Sequence, residues 1–155
     1  MASRQVIFVA RMEAGRVGSP VMNTEHILLG ILRVAPAPPE MFAQPLSVPW
    51  VREYVTRWHT PATKIPTSVD LPIHADTKAV FEKATSLADA YRCKFVRTEH
   101  LLLALATVAN SHSATILEEA GISLGRLQAM LSGLPVAEEQ AGEQSALEDL
   151  RSELF

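Results

Sequence analysis

An all-α fold made of two related helical units is the prediction, and three observations carry it. The stretch Asn23-Thr24-Glu25-His26-Ile27-Leu28-Leu29-Gly30-Ile31-Leu32 recurs, 74 residues on, as Arg97-Thr98-Glu99-His100-Leu101-Leu102-Leu103-Ala104-Leu105. The match extends upstream without a gap, placing Val6, Ala10 and Ala14 on Val80, Ala84 and Ala88. Those positions are four apart and therefore share one face of a helix. The run after each Thr-Glu-His is apolar nearly all round, which marks a buried helix rather than a surface one. A repeat at fixed period predicts two copies of one supersecondary unit, each a surface helix, a turn and a central helix driven into the core.

In chain order, a first helix is expected over residues 3–17, with Val6, Val9, Ala10 and Val17 inward and Gly18-Ser19-Pro20 as its stop. Thr24 begins the central helix, because a Thr hydroxyl can accept from an otherwise unpaired first-turn amide. After Val34, Pro36, Pro38, Pro39, Pro45 and Pro49 hold half of the ten prolines within fourteen residues. Proline loses a hydrogen bond and clashes inside a helix, so only a short one, over 38–44, is expected there. A further helix runs from Ser47 or Val48 to Trp58, with Trp50, Val51, Tyr54, Val55 and Trp58 on one broad face. That face reads as core packing ahead of a ligand platform.

Residues 59–72 are polar and proline-punctuated, the pattern of a linker between repeats 3–58 and 73–134. The second repeat supplies helices over about 75–91 and 98–109, with Thr98 as the second cap. A helix over 113–120 follows, stopped by Gly121, and another begins at Ser123 and ends near Ser132. The tail, 136–155, carries Glu138, Glu139, Glu143, Glu148, Asp149 and Glu153 against Arg151 alone. Residues 137–144 read as flexible linker. Residues 145–155 could form an amphipathic helix with Leu147, Leu150 and Leu154 together, docking on the domain or fraying.

A chain of 155 residues, 48% hydrophobic, can bury a core as one domain, residues 1–135. Its net charge of −3, without a basic block, makes nucleic acid an unexpected partner. Apolar runs stop near ten residues, short of a membrane span, and the N-terminus does not resemble a signal peptide. Cys93 is the only cysteine, so no internal disulfide can form, which suits a reducing cytoplasm.

No catalytic constellation is present, so no enzyme and no cofactor are expected. None of the seven glycines precedes a lysine, which excludes a Gly-x-x-x-x-Gly-Lys phosphate loop. His26, His59, His74, His100 and His112 invite a metal reading, but adjacent Glu-His pairs diverge by about 100° around a helix axis. A histidine hydrogen-bonded near its helix start is the expectation for His26 and His100, and no metal site is expected. Glu25 and Glu99 have two readings. Each is a first-turn acid complementing the helix dipole, or a recognition carboxylate.

Residues 4–134, with Thr-Glu-His-(Ile/Leu)-Leu-Leu in each half, resemble the double Clp repeat of the Clp (Hsp100) unfoldase N-terminal domain. The resemblance implies an all-α, pseudo-twofold domain of two four-helix units that binds substrates or adaptors for an ATP-driven protease. Without a phosphate loop the ATPase modules of that family are not expected in this chain, hence an accessory or adaptor in regulated proteolysis. Alternatively the chain is the receptor segment of a full-length Clp ATPase, or an accessory docking on the protease core. Its implied partners are proteins or peptides, and small molecules that target such domains. In the Clp unfoldases of Gram-positive bacteria, the two motif glutamates bind the guanidinium of phosphorylated arginine, and a carboxylate suits that planar fork. Thr24, Glu25, Thr98 and Glu99 are the implied binding residues. The family's phosphate-contacting threonines fall before Met1 in the first repeat and at His74 in the second.

Overall fold

The apolar run of each motif becomes the central helix of its half, and the rest of the chain is arranged around those two. The computed structural model describes residues 2–34, 42–43, 46–58, 63–66 and 68–133. Within them seven helices follow one another: α1 (Ala2–Arg16), α2 (Thr24–Val34), α3 (Val48–Trp58), α4 (Ala75–Ala90), α5 (Thr98–Thr107), α6 (His112–Glu119) and α7 (Leu124–Ser132). Extended pairing among the described residues is confined to two isolated bridges, Met22 with Ile73 and Phe42 with Ile122. The fold is all-α, and α1–α2 and α4–α5 are the two copies that the repeat predicts.

Residues 24 to 31 of α2 are all buried, so this helix has no solvent face over its first two turns. It packs against α1, α3, α4, α5 and α6. The repeated upstream positions line both halves of the core: Val6, Ala10 and Ala14 on α1 and Val80, Ala84 and Ala88 on α4 are fully buried. Val9 and Val17, expected inward, are only partly buried, because the small side chains at four-residue spacing alone face the closest contact. That contact is tight. A Cβ on Gly30 would lie 2.5 Å from the Val6 carbonyl oxygen, closer than two such atoms can approach. The second repeat has Ala104 at the equivalent place.

The linker is strapped down rather than loose where it is described. Ile65 N–H donates to the Gly15 carbonyl at 2.9 Å, and the Arg11 guanidinium donates to the Pro66 and Val69 carbonyls. Met22 and His74 then join the halves, Met22 N–H to Pro72 and His74 N–H to Met22. At the other end Ala43 N–H reaches the Ala120 carbonyl at 3.0 Å. The short helix expected over 38–44 lies outside the described residues except for Phe42 and Ala43, which are a bridge and a bend. The tail from 134 also lies outside them. Gly121 adopts φ +70° after α6, and the Ser123 hydroxyl accepts from Arg126 N–H to start α7, as the sequence predicts.

The starts of the two central helices differ from expectation. Thr24 and Thr98 stand one residue inside their helices and do not cap them. The cap is the histidine. His26 Nδ1 accepts from Asn23 N–H at 3.0 Å and His100 Nδ1 from Arg97 N–H at 2.9 Å. This is the reach-back half of a capping box, with imidazole where Glu or Gln usually stands. Accepting at Nδ1 requires an unprotonated nitrogen there, so the neutral His100 ring carries its proton on Nε2. Burial first, and the Arg97 charge second, push the His100 pKa down to about 4.

Two outcomes follow from this packing. Gly30→Ala should lower stability by about 1–3 kcal/mol, because the overlap with the Val6 carbonyl outweighs the better helix propensity of alanine. Urea unfolding at neutral pH reads it. The His100 shift runs downward, so its contribution is complete above the unfolded value of 6.5 and is lost as pH falls towards about 4. Between pH 7.5 and pH 5 this amounts to about 2 kcal/mol. His100→Gln, which retains an acceptor for the Arg97 amide, should flatten that part of the stability profile.

Candidate functional site

Each Thr-Glu-His motif places a carboxylate in the first turn of a central helix, and the two carboxylates have different surroundings. Glu25 is fully buried. Its Oε2 lies 2.6 Å from His112 Nδ1, on the first residue of α6. An ionised carboxylate only accepts, so the imidazole Nδ1 carries the proton. The His112 ring in turn stacks on Trp58, with centroids 4.1 Å apart and planes 18° from parallel. Trp58 leans on Tyr54 at 5.5 Å, and Tyr54 meets Trp50 edge-on at 4.9 Å. The aromatic face of α3 is therefore partly core, as expected, and partly a platform for the histidine that closes over Glu25.

Thr24 takes part in the same seal. Its Oγ1 accepts from Ser113 N–H at 3.1 Å, one of the first-turn amides of α6. The Ser111 hydroxyl accepts from Ala114 N–H at 3.2 Å, so side chains satisfy two amides at this helix start. Ser113 Oγ donates to the Leu105 carbonyl at 2.8 Å, tying α6 back to α5. The threonine does the capping chemistry the sequence predicts, but on another helix. Glu25 thus stands at the N-termini of both α2 and α6, where a negative charge is favoured by either dipole.

The second motif is open. Thr98 and Glu99 are both partly exposed, and among the described residues the Glu99 carboxylate makes no hydrogen bond. Its helix start is otherwise the same as the first, with His100 in the same backbone bond. His74 is exposed at the start of α4, where its Nδ1 accepts from Asp76 N–H at 3.1 Å. The bridge of Met22 to Ile73 sets it beside the segment that leads into α2. Of the five sequence-indicated residues, Thr24 and Glu25 share the sealed site, Thr98 and Glu99 share the open one, and His74 caps α4.

Sequence reasoning missed His112 as the partner of Glu25. The two are 87 residues apart, on helices of different repeats, and no local pattern joins them. Cys93 is buried, and burial pushes its thiol pKa up, so it is not an activated nucleophile. Among the described residues no group of three or more His, Cys, Asp or Glu is placed to hold a metal ion.

Comparison with known proteins agrees with this architecture. The family model for the Clp repeat (R) N-terminal domain matches over residues 2–120 and again over 73–150. The chaperone ClpD of Arabidopsis thaliana chloroplasts is 27% identical over 139 residues, 83% of this chain. A probable ATP-dependent Clp protease ATP-binding subunit of Chlamydia pneumoniae is 30% identical over 75% of the chain, and the chaperone ClpB of Oceanobacillus iheyensis 30% over 92%. The chain spans only 14–18% of the length of these relatives. The crystal structure of the N-terminal domain of Arabidopsis ClpD superposes with a TM-score of 0.67 at 25% identity, covering 84% of this chain and 92% of that one. With two copies of the motif in register, two overlapping family matches and the same helical fold, the chain belongs to the Clp repeat N-terminal domain family.

Proposed function

We propose that this chain is a non-catalytic protein- or peptide-binding domain of a Clp chaperone–protease system, and that Glu99 is its recognition carboxylate. The supporting observation is the unequal exposure of two otherwise equivalent glutamates. Glu25 already has its hydrogen bond inside the protein, from a ring held flat by Trp58. Glu99 faces the exterior from the first turn of α5 with Thr98 beside it. A half-exposed carboxylate at a helix start can accept both parallel N–H groups of an arginine fork, and that geometry favours arginine over lysine.

In this reading the chain acts as an accessory or adaptor that captures a basic segment for regulated proteolysis. The same surface would serve if the domain works as the receptor segment of a larger Clp ATPase, the arrangement its longer relatives suggest. No single helix among the described residues is long and apolar enough to cross a membrane.

The test compares the two glutamates on the same protein with an arginine-containing peptide and its lysine counterpart. Glu99→Ala should weaken the arginine peptide tenfold or more, since bonds of this charged type contribute roughly 1.5–3 kcal/mol. Its melting temperature should hardly move. Glu25→Ala should leave the peptide affinity intact and lower the melting temperature, because His112 loses its partner in the interior. Unchanged affinity in Glu99→Ala would overturn the assignment.

A further inference from the structure

The first repeat holds a second concentration of charge that the binding role above does not use. Glu13, on α1, is 2% exposed and is reached by three arginines from three helices. Arg52 on α3 grips it with both edges of the fork, Nε to Oε1 at 3.2 Å and Nη2 to Oε2 at 2.9 Å. Arg33 at the end of α2 donates to Oε2 at 2.9 Å, and Arg16 at the end of α1 stands 3.7 Å from Oε1. Burial raises the Glu13 pKa, but the hydrogen bonds and charge of Arg52, with the charges of Arg16 and Arg33, outweigh it and hold the carboxyl ionised.

One carboxylate neutralises one of these cations. The side chains line a cavity of about 480 Å³ whose wall also includes Lys64, Met12, Gly15, Ile65 and Pro66. Four cations against one anion leave three positive charges on this cavity, in a protein whose net charge is −3. Arg52 uses two of its five N–H groups on Glu13 and Arg33 uses one, so donors remain.

The second repeat folds without such a cluster. The equivalents of Glu13, Arg16 and Arg33 in the second repeat are Leu87, Ala90 and Thr107. There α4 and α5 pack as a pair without any of these charges. The cluster also lies apart from the sealed carboxylate. Arg33 is eight residues beyond Glu25, about 12 Å along the α2 axis at 1.5 Å per residue.

We infer that the cavity between α1, α2, α3 and residues 63–66 is a binding site for a phosphoryl group, with Glu13 as the internal anchor that aims Arg33 and Arg52 at it. Arginine forks match phosphate oxygens in pairs, and Lys64 in the same lining supplies a point charge. The carrier of the group is a small phosphate compound or a phosphorylated side chain of a protein.

The test titrates the full chain with inorganic pyrophosphate and, separately, with a phosphoserine peptide at low ionic strength, by calorimetry. Saturable binding of either probe, weakened tenfold or more by Lys64→Glu, is expected, and the probe that binds identifies the carrier. Lys64 makes no bond to Glu13, so this variant should melt like the parent; Arg16→Ala provides a second, milder loss. Glu99→Ala should leave the pyrophosphate or phosphoserine affinity unchanged, which separates this site from the peptide site. Binding of neither probe, binding indifferent to Lys64→Glu and Arg16→Ala, or binding of a polyglutamate peptide alone would overturn the inference.

Discussion

A helix that begins inside a protein must find partners there for amides that would otherwise meet water, and α2 begins fully enclosed. Three side chains of its first turn each take a hydrogen bond there. His26 takes the Asn23 amide, Thr24 takes the Ser113 amide, and Glu25 takes the His112 ring. Leaving any of these buried groups unpaired would cost on the order of 1–3 kcal/mol. The satisfaction of one helix start therefore dictates where another must lie. α6 is held with its own N-terminus against that of α2, and a carboxylate between two positive helix ends is an arrangement both favour. Trp58 completes the constraint by fixing the plane of the imidazole. The contact between the repeats is thus polar at its centre and apolar around it, with Ile27, Leu28, Leu101, Leu105, Ile116 and Leu117 all fully buried.

The consequence is a repeat whose halves share a backbone but not a chemistry. Motif for motif, the helices begin alike, with a histidine in the same backbone bond. What differs is the charge and the closeness of the packing around them. Gly30 lets α1 come within reach of α2, where the second repeat has Ala104. The buried Glu13 pairs with the partly exposed Arg33 where the second repeat has Leu87 and Thr107. Charge and close packing have accumulated in the first half, and the open carboxylate has been left to the second.

Much of this was legible in the chain, and the boundary has a physical cause. Periodicity reports which side of a helix is buried, so Val6, Ala10, Ala14 and their equivalents were readable, as were the glycine and serine that end α6 and begin α7. Local propensity misled at Thr24 and Thr98. A threonine before an apolar run reads as a cap, yet the backbone bond belongs to the histidine two residues later, because an imidazole at the third helical position can also reach back. The pairing of Glu25 with His112 and the convergence of Arg33 and Arg52 on Glu13 were out of reach. These are contacts between side chains many residues apart, fixed by how helices cross, and no spacing along the chain records them.

A buried acid and an exposed one also differ in what they can gain from a ligand. For a guanidinium to reach Glu25 it would have to displace His112, breaking a 2.6 Å hydrogen bond and the stack on Trp58. The new charge-assisted bond is of similar strength to the one lost, so little affinity would remain after the desolvation of the incoming cation. At Glu99 no hydrogen bond among the described residues has to be given up. In the proposed reading, fixing one carboxylate to stabilise the fold and leaving its twin exposed lets a duplicated motif do two jobs. The same logic applies at the other end of α2. There Glu13 binds its arginines tightly enough to hold them in place but neutralises only one, and the charge it leaves over is free to meet a ligand.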